Sequence, residues 1–238
     1  MRARRYCAFT LIELLVVIAI ITVLMGVMMP ALSRVKEQGK EAVCRNNLKQ
    51  IGMGASMYAD DWGLLVPRGA ARNQAWYTLF MRYLAQTAVN NRDYRTVKIY
   101  RCPSYPDKEQ TVCYVVNGWE FSSRTDTAGE ERTEPSRITE ARRPAETIYL
   151  VDNEDGTWRD IITTISSPGI ERCDVWSPSH LPHPEDDETA PTGDASMYGR
   201  RVAATRHKQA GCSTLYLDWH VDYVAARDMT IDMWRWKK

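Results

Sequence analysis

From Phe9 to Met29 the chain runs through twenty-one residues of which Glu13 alone is charged. At a helical rise of about 1.5 Å per residue this stretch spans roughly 30 Å, the thickness of a bilayer's hydrocarbon core. A helix packed in a water-soluble fold would show a polar face at a period of 3.6 residues, and after Thr10 and Glu13 the only polar side chain here is Thr22. The stretch predicts a transmembrane helix over 9–29, with the rest of the chain folded as an attached domain.

Arg2, Arg4 and Arg5 precede the apolar run, so the first eight residues look like the positive end of a secretory signal. The run is about twice the length of a usual signal core and no small-x-small cleavage site follows it, which argues for retention of the helix. The positive-inside rule places the arginines in the cytoplasm and the bulk of the chain outside. The whole chain has 238 residues and a formal net charge of +1, without the basic excess that phosphate binding needs, so nucleic acid is not an expected partner. The six cysteines, Cys7, Cys44, Cys102, Cys113, Cys173 and Cys212, are too widely spaced for a paired C-x-x-C zinc site. Outside the cytoplasm they are disulfide candidates.

Ala8-Phe9-Thr10-Leu11-Ile12-Glu13-Leu14-Leu15-Val16-Val17-Ile18-Ala19-Ile20-Ile21 resembles the prepilin-type N-terminal cleavage and methylation motif of type IV pilins and type II secretion pseudopilins. The resemblance implies that a prepilin peptidase removes a leader over 1–8 by cutting between Ala8 and Phe9, and that the new Phe9 amine is methylated. Ala8 stands where the family usually has glycine. Glu13 becomes the fifth mature residue, the family position whose carboxylate pairs with the terminal ammonium of a neighbouring subunit, and Pro30 falls where the family has a helix-kinking proline. The implied partners are the peptidase, other pilin-like subunits met through the helix, and the bacterial inner membrane. The implied location is single-pass in that membrane, with a periplasmic C-terminal domain. A carboxylate inside a membrane costs about 3 kcal/mol unless it meets a cation, so assembly would relieve it.

Beyond Pro30, Leu32, Val35, Gly39 and Ala42, then Cys44, Leu48, Ile51, Ala55 and Tyr58, follow a helical stripe, and Asp60-Asp61-Trp62-Gly63 reads as its stop. The helix is therefore expected to continue over 30–61, ahead of a globular part at 62–238. A short helix fits the apolar spacing from Gln74 to Leu84. Runs rich in Val, Ile, Thr and Tyr predict strands at Thr96–Tyr100, Thr111–Val116, Thr147–Val151, Asp160–Ile165 and Ser213–Val224. Charged or Pro-rich stretches at 122–143 and 166–206 read as long loops. The expected fold class is α+β, a long N-terminal helix packed on an antiparallel sheet, pilin-like.

Cys44-Arg45-Asn46-Asn47-Leu48-Lys49-Gln50-Ile51-Gly52, Arg101-Cys102-Pro103-Ser104, Tyr114-Val115-Val116-Asn117-Gly118 and Arg143-Pro144-Ala145-Glu146-Thr147 are similar to segments of pseudopilin-like proteins that carry a C-terminal His-x9-Asp-Gly motif. His207, followed after ten residues by Asp218-Trp219-His220-Val221, resembles that motif with one residue more and with Trp219 for glycine. The flanking alternation reads as a hairpin. Because a tryptophan at positive φ is strained, a turn other than the Asp-Gly type is expected. Three states are open for the cysteines: Cys102 with Cys113 closing a short loop, Cys44 with Cys102 stapling helix to sheet, or buried free thiols. The resemblance favours Cys44 with Cys102, since both lie in family-like segments.

His180, His183, His207 and His220, with Asp218 and Asp222, can be imagined as a metal site, but His180-x-x-His183 lies in a Pro-rich loop and metal-ligand geometry is strict, so a structural or solvated role is the expectation. Asp152-Asn153-Glu154-Asp155-Gly156 fails the EF-hand pattern and reads as a polar turn. Nucleophile motifs such as Gly-x-Ser-x-Gly are absent. No enzyme, cofactor or metal is expected. Trp234 and Trp236 read as a packing tail or as a membrane or partner contact. The expected function is a structural subunit of a pilus or secretion pseudopilus; the alternative is a membrane-anchored extracytoplasmic binding or enzymatic domain that does not polymerise.

Overall fold

The computed structural model describes residues 11–69, 75–86, 88, 90, 92–154, 161–182, 199–207 and 211–237. Cys7, Ala8 and Phe9, of the expected leader and cleavage site, and also Asp155, Gly156 and His183 lie outside them. The elements in chain order are helix α1 (Leu11–Asp61), strand β1 (Leu65–Val66), helix α2 (Trp76–Leu79), β2 (Tyr114–Asn117), β3 (Trp119–Glu120), β4 (Glu130–Glu131), β5 (Ser136–Arg137), β6 (Ile148–Asp152), β7 (Asp174–Val175), β8 (Gly211–Tyr216) and β9 (Val221–Ala225), with 3-10 turns between them. The fold is α+β. The chain divides into two compact units, Met1–Gly39 and Lys40–Lys238.

In the first unit the described chain is all helix, and it stays helical through Pro30. Its apolar side chains find no protein cover: Leu11 is 85 % exposed and Val27 72 %. Leu32 and Val35, the front of the predicted stripe, are also exposed.

In the second unit the stripe does what its spacing predicts. Cys44, Leu48, Ile51, Ala55 and Tyr58 recur every three or four residues and are all buried, while Met53 and Met57 between them face out, as do Val43 and the stripe member Ala42 before them. A methyl group on Gly52 would lie 2.9 Å from Leu215 Cδ1, so this glycine sets how closely helix and sheet approach. The helix stops where expected. Gly63 and Leu64 both turn to positive φ, and the Leu64 N–H donates back to the Ala59 carbonyl at 2.7 Å.

The five-stranded sheet has the order β7-β2-β6-β8-β9. Its inner pairs are antiparallel, whereas β7 lies parallel to β2, with Val116 opposite Asp174. The antiparallel expectation thus holds for all but this edge, and β7 comes from the stretch 166–206 read as loop. Every residue of β2 and β6 is buried because the sheet is covered on both faces. Tyr114, Val116, Leu150 and Leu215 join the helix stripe in one core, and Val115, Ile148, Val151 and Cys212 join Trp234 in the other. A bulge between Ile148 and Leu150 turns Tyr149 and Leu150 to the same face, toward the helix. Alternation resumes beyond it and carries Asp152 toward the helix as well.

Two predicted strands do not form. Over Thr96–Tyr100 the chain makes 3-10 turns, and a side chain takes backbone donors that a ladder would use: Gln86 Oε1 accepts from the Lys98 N–H at 2.6 Å and from the Ile99 N–H at 3.3 Å. At Asp160–Ile165, Gln110 Oε1 accepts from the Ile162 N–H at 2.7 Å and Ser167 Oγ from Thr163 and Thr164 at 3.0 and 2.9 Å, leaving only an isolated bridge at Thr164. The expected helix at 74–84 is one α turn, Trp76–Leu79, continued as a 3-10 turn, Phe80–Tyr83.

Candidate functional site

Two features of the chain fall outside ordinary packing. The first is the front of α1, where one helix long and apolar enough to cross a membrane is wholly exposed. The consecutive side chains Leu14, Leu15, Val16 and Val17 are all exposed, and at about 100° per residue they point to all sides of the helix, so no single partner face accounts for them. Only a medium or a ring of neighbours that surrounds the helix removes that apolar area from water.

The second feature is a buried cluster of polar side chains where α1 crosses the end of β6. Cys44 opens the buried stripe of α1, Asp152 closes β6, Cys102 stands in the segment after the turn at Lys98–Tyr100, and His207 lies in the segment before β8. None of the four is more than 3 % exposed. The Cys44 thiol donates to Asp152 Oδ1 at 3.2 Å and lies 3.3 Å from the Tyr114 hydroxyl. His207 Nε2 lies 3.3 Å from Asp152 Oδ2 and 3.5 Å from Cys102 Sγ. The Ser213 N–H donates to Asp152 Oδ2 at 2.8 Å and fixes the carboxylate. Asn47 Nδ2, one turn beyond Cys44, donates to the Arg101 carbonyl at 2.9 Å and ties the Cys102 segment to the helix.

Burial pushes the Cys44 thiol well up. Burial acts to raise Cys102 too, but the hydrogen bonds from Cys44 and His207 outweigh it and bring that thiol down to about 7. His207 is driven down by burial and more strongly up by Asp152 and Cys102, to about 10. A hydrolytic thiol–imidazole–carboxylate chain places thiol and carboxylate on opposite nitrogens of the ring. Here both approach Nε2, and the buried Nδ1 has no hydrogen-bond partner among the described residues. The geometry is that of donors around a common centre, not of a proton relay.

This cluster revises the expectation of no metal-ligating set, which rested on spacing alone. Its members come from four segments far apart in the chain, so only the fold could assemble them. Cys44 and Cys102, the expected disulfide pair, are brought together as thiols with no disulfide between them. The residues that resemble a C-terminal motif are split: His207 enters the cluster, while Asp218 and His220 stay at the β8–β9 turn, where Asp218 Oδ1 binds both the backbone N–H and the ring Nδ1 of His220, at 3.1 and 2.5 Å. Trp219 there adopts φ 72°, correcting the expectation of another geometry. Its ring meets Tyr149 edge to face at 5.8 Å, a contact that holds the strained backbone in place.

The other candidates scatter. His180 is buried and its Nδ1 accepts from the Trp176 N–H at 3.2 Å. Asp222 lies 3.6 Å from Arg45. A surface cleft of about 520 Å³ holds His220 and Asp222 among arginines and acidic residues, but neither His180 nor His207. Asp152, Asn153 and Glu154 do not form an exposed turn: all three are buried, and Glu154 meets Arg200 at 2.5 Å.

A long helix, apolar and exposed at its front and packed on a mixed sheet at its back, is consistent with an α+β pilin-like fold. The family profile described as the prokaryotic N-terminal methylation motif matches residues 3–29 and supports a type IV pilin-like or pseudopilin family for the chain. That family is structural, and its motif together with one apolar N-terminal helix fits a single-pass inner-membrane protein. No curated protein and no solved structure matches the chain.

Proposed function

We propose that the chain is a prepilin-like structural subunit of a type IV pilus or a type II secretion pseudopilus, and not an enzyme. The observation that carries this reading is the methylation motif running directly into a helix whose apolar side chains are exposed on all sides. Prepilin peptidase cuts between Ala8 and Phe9 at the cytoplasmic face, the Phe9 amine is methylated, and the domain beyond Pro30 lies in the periplasm, with the proline bending the helix. Lateral packing of the apolar helices then replaces lipid contacts, and Glu13 pairs with the Phe9 ammonium of a neighbour, which removes a cost of about 3 kcal/mol for a carboxylate held in hydrocarbon.

The intact mass and N-terminal sequence of the membrane-extracted protein test processing. The expected form begins at N-methylated Phe9; a chain that retains residues 1–8 in cells with an active peptidase sinks the reading. Glu13→Leu is expected to leave insertion intact while reducing the assembled fraction at least tenfold, and unchanged assembly removes the pairing step.

A further inference from the structure

We propose that Cys44, Cys102, Asp152 and His207 are the ligands of a structural divalent transition-metal site, with Zn²⁺ the ion their chemistry fits best. One ligand atom from each of the four lies within 4.8 Å of all the others, in a setting sealed from solvent. Zinc binds thiolate sulfur at about 2.3 Å and imidazole nitrogen or carboxylate oxygen at about 2.0–2.2 Å, so the edges of its tetrahedron run to roughly 3.5 Å. Three contacts come near that length, 3.2 Å from Cys44 Sγ to Asp152 Oδ1, 3.3 Å from the other carboxylate oxygen, Oδ2, to His207 Nε2 and 3.5 Å from His207 Nε2 to Cys102 Sγ, and with a single Asp152 oxygen counted all the edges stay within 4.8 Å.

Two sulfurs, one nitrogen and one oxygen form a borderline-soft set, which selects zinc over calcium or magnesium. Full burial with four protein donors marks a closed, structural site, because a catalytic one keeps a position open to water. Hydrogen bonding satisfies the cluster less well: a single proton on Nε2 cannot point at both the Asp152 carboxylate and the Cys102 sulfur, whereas a cation at the centre satisfies all four groups. The surroundings are ordered for such an ion. The Ser213 N–H orients Asp152 at 2.8 Å, the Tyr114 hydroxyl stands 3.3 Å from Cys44 Sγ, and the His207 backbone is held by its N–H to the Gly211 carbonyl at 3.1 Å. Since the ligands come from α1, two connecting segments and β6, the ion would pin the helix to the end of the sheet.

The full-length protein, extracted in detergent under anaerobic conditions without chelator, is assayed for metal by elemental mass spectrometry and then reconstituted with Co²⁺. About one zinc per chain is expected. Co²⁺ should give the intense visible bands of a tetrahedral site and a sulfur-to-cobalt charge-transfer band in the near ultraviolet. Cys102→Ser should lose at least half of the charge-transfer intensity and bind Co²⁺ at least tenfold more weakly. Cys173→Ser, which removes a buried thiol outside the set, should match the parent in both and thereby separates ligand loss from loss of fold. The proposal is overturned by a folded parent chain that takes up neither ion, by octahedral Co²⁺ bands without charge transfer, or by a Cys44–Cys102 disulfide in peptide maps of protein isolated without reductant.

Discussion

Arg68 is wholly buried, yet nearly every donor of its guanidinium has a partner. Nε donates to the Asn117 carbonyl at 3.1 Å, one terminal nitrogen reaches Glu120 at 2.9 Å and Ser136 at 3.4 Å, and the other reaches Asn117 Oδ1 and the Trp119 carbonyl. Trp236 covers its face at 4.3 Å, and both C-terminal tryptophans, Trp234 and Trp236, pack inward in the two cores. Burial brings Arg68 down to about 10, so it stays cationic at neutral pH. Arg68→Ala strands two carbonyls and Asn117 in the interior, and should lower stability by about 3–5 kcal/mol in urea unfolding followed by tryptophan fluorescence. Asp126 is the contrasting case at the surface. Its oxygens accept from the backbone N–H groups of Gly129 at 2.9 Å and Ser122 at 3.0 Å, which hold its carboxyl down to about 2. A carboxyl whose folded-state pKa is depressed stabilises the fold above its unfolded value, near 4, and that contribution fades as pH falls through about 2. Asp126→Asn should therefore flatten the pH dependence of stability between about 4 and 2, measured by acid titration of parent and variant.

Helix α1 has one sequence pattern at its front and another at its back, and the structure follows both. Ile51 is fully buried against the sheet, and Met53, two residues on, is 55 % exposed. Ile51→Ala should cost about 2–5 kcal/mol and Met53→Ala less than about 0.5 kcal/mol, read from unfolding midpoints of the full-length chain in detergent. Strands β6, β8 and β9 were legible for the same reason as the stripe: β-branched and aromatic residues in short runs, joined by a tight turn. Thr96–Tyr100 carries the same residue types without forming a strand. What differs is Gln86, a side chain outside the run that takes up its Lys98 and Ile99 N–H groups, and strand propensity contains no information about it.

For the whole molecule, the apolar length of α1 is a question of surroundings. Single cysteines placed at successive positions from Leu14 to Val27 are expected to give ladders of multimers on oxidative cross-linking in cells. Cross-links that stop at dimers, or at nothing, would favour an anchor helix that does not polymerise. If the ladder forms, the positions with the highest yield should repeat at a helical period of three to four residues, since one side of each helix meets its neighbour.

By itself the sequence determined the apolar front, the methylation motif, the buried stripe of α1 and the strands with strong local patterns. Each of these is written in neighbouring residues, where composition and period act directly on the backbone. Only the tertiary structure decided that Trp219 would take the left-handed turn, that Asp174–Val175 would add a parallel edge, and that Cys44, Cys102, Asp152 and His207 would meet. These depend on contacts between residues far apart in the chain: the Tyr149 ring under Trp219, the reach of β2 to the segment after Cys173, and the crossing of α1 over the end of β6. A spacing rule sees none of them, because packing of the helix on the sheet, not order along the chain, sets which side chains become neighbours.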